Sequence, residues 1–267
     1  MHILTPYHRI RRFCTRTLLL VPTLALLAAP VPSVYGASYQ PNEVSAQQTV
    51  SLYQNIPGLT SQQIEYGKAA IPRMHYNAQR ILRKICALPG VNFEYVKQVI
   101  ERLGRERFTY EQVLTYEALS SLSTMDIKNG IAGLDTVKEM SFEAGRAFRA
   151  YAGMQGVTAN QALSMISMFN HMDDANNRAA QAFFAIKGMR VDLAQKGMPS
   201  LMRLKNNQAK AAEAYAKIPT MDPETMLDGL ELIHKLYQDD AWNARCLFTN
   251  KSVTGRDAWN WLVSYFA

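Results

Sequence analysis

Leu59-Thr60-Ser61-Gln62-Gln63, Phe108-Thr109-Tyr110-Glu111-Gln112 and Val157-Thr158-Ala159-Asn160-Gln161 repeat one short phrase: an apolar residue, a threonine, and a glutamine three positions on. A threonine hydroxyl accepts from the backbone N–H three residues ahead while the glutamine side chain reaches back, so each phrase is a helix start. Val253-Thr254 followed by Asp257 is the same device with a carboxylate, and each leading apolar residue is half of a hydrophobic staple. Asp222-Pro223 marks a fifth start, proline being favoured at the first helical position. Asn92 and Ser141, each followed by Phe-Glu, mark two more, and Asp173 with Asp174 caps another.

Working outward, apolar residues recur at intervals of three and four almost everywhere after Leu59, and no stretch alternates with period two. The fold predicted is all-α: a multi-helix globular or irregular helical-repeat-like domain of about 10–11 helices over residues 59–267. The expected spans are 61–88 with a kink near Pro72, 93–104, 110–123, 125–139, 142–154, 159–171, 174–197, 199–217, 223–238, 240–248 and 255–266. Gly197 with Pro199, or the stretch 218–223, offers a subdomain break. Thr60, Thr109 and Thr158 lie 49 residues apart, but only six positions match between the first two segments, and Thr254 falls 96 residues after Thr158 instead of 98. Recurrent capping in an ordinary helical fold is therefore preferred to a 49-residue repeat.

Upstream, the chain opens with Arg9, Arg11, Arg12 and Arg16 and no acid, then runs apolar from Leu18 to Ala29 before Pro30. That pattern predicts a secretory signal over residues 1–36, cleaved between Gly36 and Ala37. The apolar run is shorter than the roughly 20 residues a membrane span needs, so no transmembrane anchor is expected after processing. Residues 37–58 are polar and read as an N-terminal tail or a loosely docked first helix. Export by the general secretory route places the protein in the periplasm or outside the cell. There Cys86 and Cys246 form an even pair and a disulfide candidate.

The leader holds four of the 29 basic residues and none of the 22 acids, so the remaining chain is only +3 and specific nucleic-acid binding is not expected. Charge is uneven along the chain. Residues 60–107 carry a local +5, with Arg80, Arg83, Lys84, Arg102, Arg105 and Arg107 as basic-surface candidates, and residues 108–143 carry a local −4. Such a dipolar surface suits a protein partner in the cell envelope, or an anionic polymer or lipid headgroups.

Catalytic constellations are weaker. A G-x-S-x-G elbow, a Walker loop, a haem-attachment motif and an EF-hand loop are all missing from the sequence. Glu111 with Glu117, and Glu139 with Glu143, are the carboxylate pairs a glycosidase would need, yet any helical surface has such pairs. Glu231 and His234 form a single E-x-x-H step where a di-iron bundle needs two. Met165, Met168 and Met172 beside His171 read as core filler before copper ligands. Trp242, Phe248, Trp259, Trp261, Tyr265 and Phe266 close the chain and cannot all face one way. The reading reached is an exported helical protein-interaction or assembly module without catalytic activity, metal or cofactor. The alternative is an envelope hydrolase of cell-wall or extracellular polysaccharide.

Overall fold

The computed structural model describes residues 43–267, which form 14 α-helices, with no strand among the described residues. The expected signal segment and the Gly36/Ala37 cleavage site lie outside the described residues. Seven antiparallel hairpins follow one another. They are α1 (Glu43–Gln54) with α2 (Ser61–Ala70), α3 (Tyr76–Cys86) with α4 (Phe93–Leu103), and α5 (Tyr110–Ser120) with α6 (Ile127–Lys138). Then come α7 (Phe142–Ala152) with α8 (Ala159–Asn170), α9 (Asp174–Phe184) with α10 (Val191–Arg203), α11 (Asn206–Ala216) with α12 (Pro223–Ile233), and α13 (Gln238–Phe248) with α14 (Gly255–Phe266). A single 3-10 turn, Ile71–Arg73, follows α2.

The repeat is real, but its period is 32 residues and not 49. The even helices are capped at Thr60, Asn92, Asp126, Thr158, Arg190, Asp222 and Thr254, every 32 residues apart from one step of 34. The 49-residue interval is about one and a half repeats, pairing the cap of an even helix (Thr60) with that of an odd one (Thr109). The 96 residues from Thr158 to Thr254 are three whole repeats.

From the second hairpin to the sixth each period is built the same way. The residues four, seven, eight and eleven after the even-helix cap are buried, as Val96, Val99, Ile100 and Leu103 are in α4 and Met226, Gly229, Leu230 and Ile233 in α12. That is one face of a 3.6-residue helix, and full burial of each large apolar side chain stabilises by about 1.5–3 kcal/mol. In the first six hairpins the inner turn reads apolar, any, Gly or Thr, apolar, cap, as in Met154-Gln155-Gly156-Val157-Thr158 and Ile218-Pro219-Thr220-Met221-Asp222. There the third residue does one of two jobs. Gly58, Gly90, Gly156 and Gly188 adopt positive φ, which glycine alone enters without strain. Where threonine stands instead, its hydroxyl reaches the following hairpin: Thr124 Oγ1 accepts from Ala159 N–H at 2.7 Å, and Thr220 Oγ1 from Gly255 N–H at 2.8 Å.

Within hairpins, notches seat rings. The ring of Tyr53 fits against Gly67, Phe183 against Gly197 and Tyr215 against Gly229, and a Cβ at any of the three would lie under 3 Å from ring carbons. At the open end of a hairpin, a buried amide at the start of the odd helix ties backbone at the end of its even helix. Gln208 Nε2 donates to the carbonyls of His234 and Leu236 at 2.8 and 2.7 Å, and Asn176 Nδ2 to those of Leu201 and Leu204 at 2.9 and 3.0 Å.

Several sequence-based expectations need correction. The described residues form 14 helices and not 10–11, because 61–88 holds two helices, 174–197 with 199–217 holds three, and Glu43–Gln54 adds one. Gly197 and Pro199 lie inside α10, and 218–223 is the ordinary turn of the sixth hairpin, so neither divides the domain. Residues 41–267 form one compact unit. The expected tail contributes α1 to the first hairpin, where Tyr53 is fully buried and its hydroxyl donates to Gln63 O at 2.7 Å.

Candidate interaction surface

The odd helices are rich in alanine: Ala175, Ala179, Ala180 and Ala182 in α9, and Ala209, Ala211, Ala212 and Ala214 in α11. With so little side-chain volume between them, the odd helices approach one another more closely than the even helices do. The row therefore bends toward the odd layer, whose outward face forms its inner side. The residue five positions after each odd-helix cap, from His75 onward, lies on that face: Arg80, Leu114, Arg146, Arg178, Lys210 and Trp242. One turn earlier stand Tyr76, Tyr110 and Phe142, the last two 59% and 58% exposed despite their apolar rings.

At the N-terminal end this face is already paired. Arg80 forms a bidentate bond to Glu117 at 3.0 and 2.7 Å and lies 5.9 and 5.3 Å from the ring centres of Tyr76 and Tyr110. Arg149 pairs with Glu111, and Arg102, in the even layer, with Asp135 at 2.6 Å. Two side chains of the basic segment thus pair with the acidic segment across the seams between neighbouring hairpins. Of the six basic candidates, Arg80 and Arg102 are held this way, Arg83 donates to Gln48 Oε1 at 2.8 Å, and Lys84 is half-buried on α3. Arg105 and Arg107 stand exposed in the loop after α4.

The C-terminal half differs. A groove of about 530 Å³ opens where α7, α9 and α11 meet the turns after α9 and α11. Arg146, Arg178, Lys187 and Lys217 line it against a single carboxylate, Glu213, and Ala182, Ile186, Ile218 and Met221 are among its apolar residues. Glu213 pairs with Lys217, while Arg178 stands 3.6 Å from Glu143 and 3.8 Å from Glu213, too far for close hydrogen bonds. Among the described residues, Arg146 and Lys187 make no ion pair, and Arg146 lies 5.7 Å from the Phe142 ring centre. Reading along the chain missed this site because its cations come from three hairpins. The signal was the 32-residue spacing of Arg146 and Arg178.

The other candidates are structural. Glu111, Glu117 and Glu143 serve the ion pairs above, and Glu139 is the exposed C-cap of α6. Glu231 accepts from Ser200 Oγ, and His75, His171 and His234 sit at helix ends. Met165 and Met172 are buried in the core. No group of three His, Cys, Asp or Glu side chains suited to a metal occurs among the described residues, and none of the described helices is long and apolar enough to cross a membrane. Phe248, Trp261 and Tyr265 stack in the last hairpin, leaving Trp242 and Phe266 exposed.

Cys86 and Cys246 belong to the second and seventh hairpins, and the expected disulfide does not join them. With four hairpins between them, their Cα atoms cannot reach the roughly 4.4–6.8 Å a bridge requires without rearranging the row. Burial pushes the Cys86 thiol up to about 12, so it stays protonated near neutrality. Cys86 is therefore expected to resist alkylation in the native protein and to react once denaturant is added without reductant. Peptide mass mapping reads both states, and a Cys86 still unmodified after denaturation would indicate a bridge.

Comparison with known proteins gives no match to any family model, curated protein or solved structure.

Proposed function

We propose that this protein is an exported helical-repeat module that binds a partner protein of the cell envelope along the inner, odd-helix face, without chemistry of its own. One observation carries the reading: the face formed by one residue per hairpin passes from exposed rings at Tyr110 and Phe142 to a cation-lined groove at Arg146 and Arg178. Rings and arginines are the side chains that anchor protein interfaces. Repeat architectures offer extended inner surfaces of this kind. The basic, then apolar first 29 residues support export. The hydrolase alternative gains nothing, since three of its four proposed carboxylates tie hairpin to hairpin.

Photo-crosslinking amino acids placed at Tyr110 and Trp242 test the odd face in the native host, with Lys128 and Met202 on the even helices as controls. The expected result is a discrete, shared protein adduct from the first two positions and none from the controls. Equal adducts from both layers, or none from either, would remove the reading.

A further inference from the structure

We infer that the groove between α7, α9 and α11 binds a phosphate monoester, whose dianion takes the place of a carboxylate that the repeat omits beside Arg146. The inference goes beyond the interaction reading above, because it needs no protein partner on the exposed rings.

The hairpins supply their own standard of comparison. Arginine stands five residues after an odd-helix cap three times, as Arg80, Arg146 and Arg178. Eight residues after the next odd-helix cap stand Glu117, Gln181 and Glu213 in turn. Where both members are charged, they meet: Arg80 holds Glu117 in a bidentate bond at 3.0 and 2.7 Å, and Arg178 lies 3.8 Å from Glu213. For Arg146 the corresponding residue is an amide, Gln181, and both side chains line the groove. The Phe142 ring, its centre 5.7 Å from the guanidinium carbon, offsets part of the charge but offers no acceptor oxygen.

The charge left over selects the ligand. Beside Arg146, Lys187 also lines the groove without an ion pair among the described residues. Arg178 is held only at 3.6 Å by Glu143 and 3.8 Å by Glu213, and Glu213 is shared with Lys217. A single carboxylate would answer Arg146 and leave Lys187 unmatched. A phosphate monoester carries about 1.5–2 negative charges on one group, with three strong acceptor oxygens to divide among several cations. Ile186, Ile218 and Met221 are buried, so a ligand in the groove meets chiefly the cations, Gln181 and Glu213. The volume of about 530 Å³ is that of a small-molecule site.

Isothermal titration of the whole protein with glycerol 3-phosphate tests the site, with malonate as a dicarboxylate control at the same ionic strength. The ester should bind saturably, and malonate about tenfold more weakly or less. Gln181→Glu restores the carboxylate beside Arg146, so it should keep or raise the melting temperature and weaken ester binding about tenfold or more. Arg146→Gln should weaken binding about tenfold with an unchanged melting curve, while Lys128→Gln, on the even layer, has no effect. Phosphatidylcholine vesicles containing phosphatidic acid separate the two sources of this chemistry. They should stay unbound if the ester is a soluble one, whereas capture that Gln181→Glu abolishes would assign the same site to a lipid headgroup. No saturable binding of the ester, malonate bound equally well, or binding that survives both Gln181→Glu and Arg146→Gln would overturn the inference. Failure of the ester while crosslinks from Tyr110 and Trp242 persist removes this site alone and leaves the interaction reading standing.

Discussion

Gly229→Ala is expected to destabilise the protein by about 2 kcal/mol, against the sense of helix propensity. In an open helix, alanine is favoured over glycine by about 1 kcal/mol. At Gly229 the new Cβ would lie 2.3 Å from Tyr215 Cε1 and 2.8 Å from Cζ. The ring has no free space to yield into: Tyr215 is fully buried, and its centre lies 5.0 Å from that of Phe248 in the next hairpin. Relief must come from moving α12 away from α11, which loosens the seam where the last two hairpins meet. Overpacking of this kind costs about 1–3 kcal/mol and here exceeds the propensity gain. Chemical denaturation measures the effect, and Tyr215→Leu in the Gly229→Ala background should recover part of it. Gly188→Ala is the contrasting control, because its φ of +84° is strained for alanine but no atom lies within 4 Å of the new carbon. There the loss should be about 1 kcal/mol, from backbone strain alone. A Gly229→Ala protein as stable as the parent would refute the notch as the element that sets hairpin spacing.

The same notch explains how much of the fold was legible. The helix starts were, because a cap is local chemistry: Thr60, Thr109, Thr158 and Thr254 all form the reciprocal bonds their spacing implies, and Asn92, Ser141, Asp173 and Asp222 all cap. Where the cap is Arg190 or Lys205, no side-chain oxygen marks the start, and the turn passes unnoticed inside the expected spans 174–197 and 199–217. Gly197 and Pro199 misled for a physical reason. The glycine makes room for Phe183, and the proline lies on the exposed side of α10, where the carbonyl it strands at Gln195 meets water. The repeat was hidden because shape recurs where residue type does not. Ten residues after successive odd-helix caps stand Ile85, Leu119, Tyr151, Phe183 and Tyr215, interchangeable as wedges and dissimilar as letters. The groove was illegible for a related reason: Arg146, Arg178, Lys187 and Lys217 come from three hairpins and become neighbours only when the hairpins stack.

Asn176→Asp is the second large effect expected, about 3 kcal/mol at neutral pH, and its pH dependence identifies the cause. Asn176 is 3% exposed, and its amide nitrogen is the donor that joins the start of α9 to the carbonyls of Leu201 and Leu204, where the fifth hairpin turns into the sixth. Aspartate has the same shape, but an ionised carboxylate has no proton to give. It would hold two oxygens against two carbonyl oxygens in a buried site, close in sequence to Asp173 and Asp174. The protonated acid restores one donor, so folding favours the protonated form and raises the pKa of the introduced group above its unfolded value of about 3.9. The stability lost to ionisation is therefore regained below that value, and is lost progressively as pH rises through the folded-state pKa. Denaturation midpoints of the parent and the variant should differ least in acid and most at neutrality. Asn176→Leu, which removes both hydrogen bonds and adds no charge, should show a pH-independent loss. A gap between Asn176→Asp and the parent that stays constant from acid to neutral pH would mean that the carboxylate escapes to solvent, and that the amide tie does not hold the start of α9 to the end of α10.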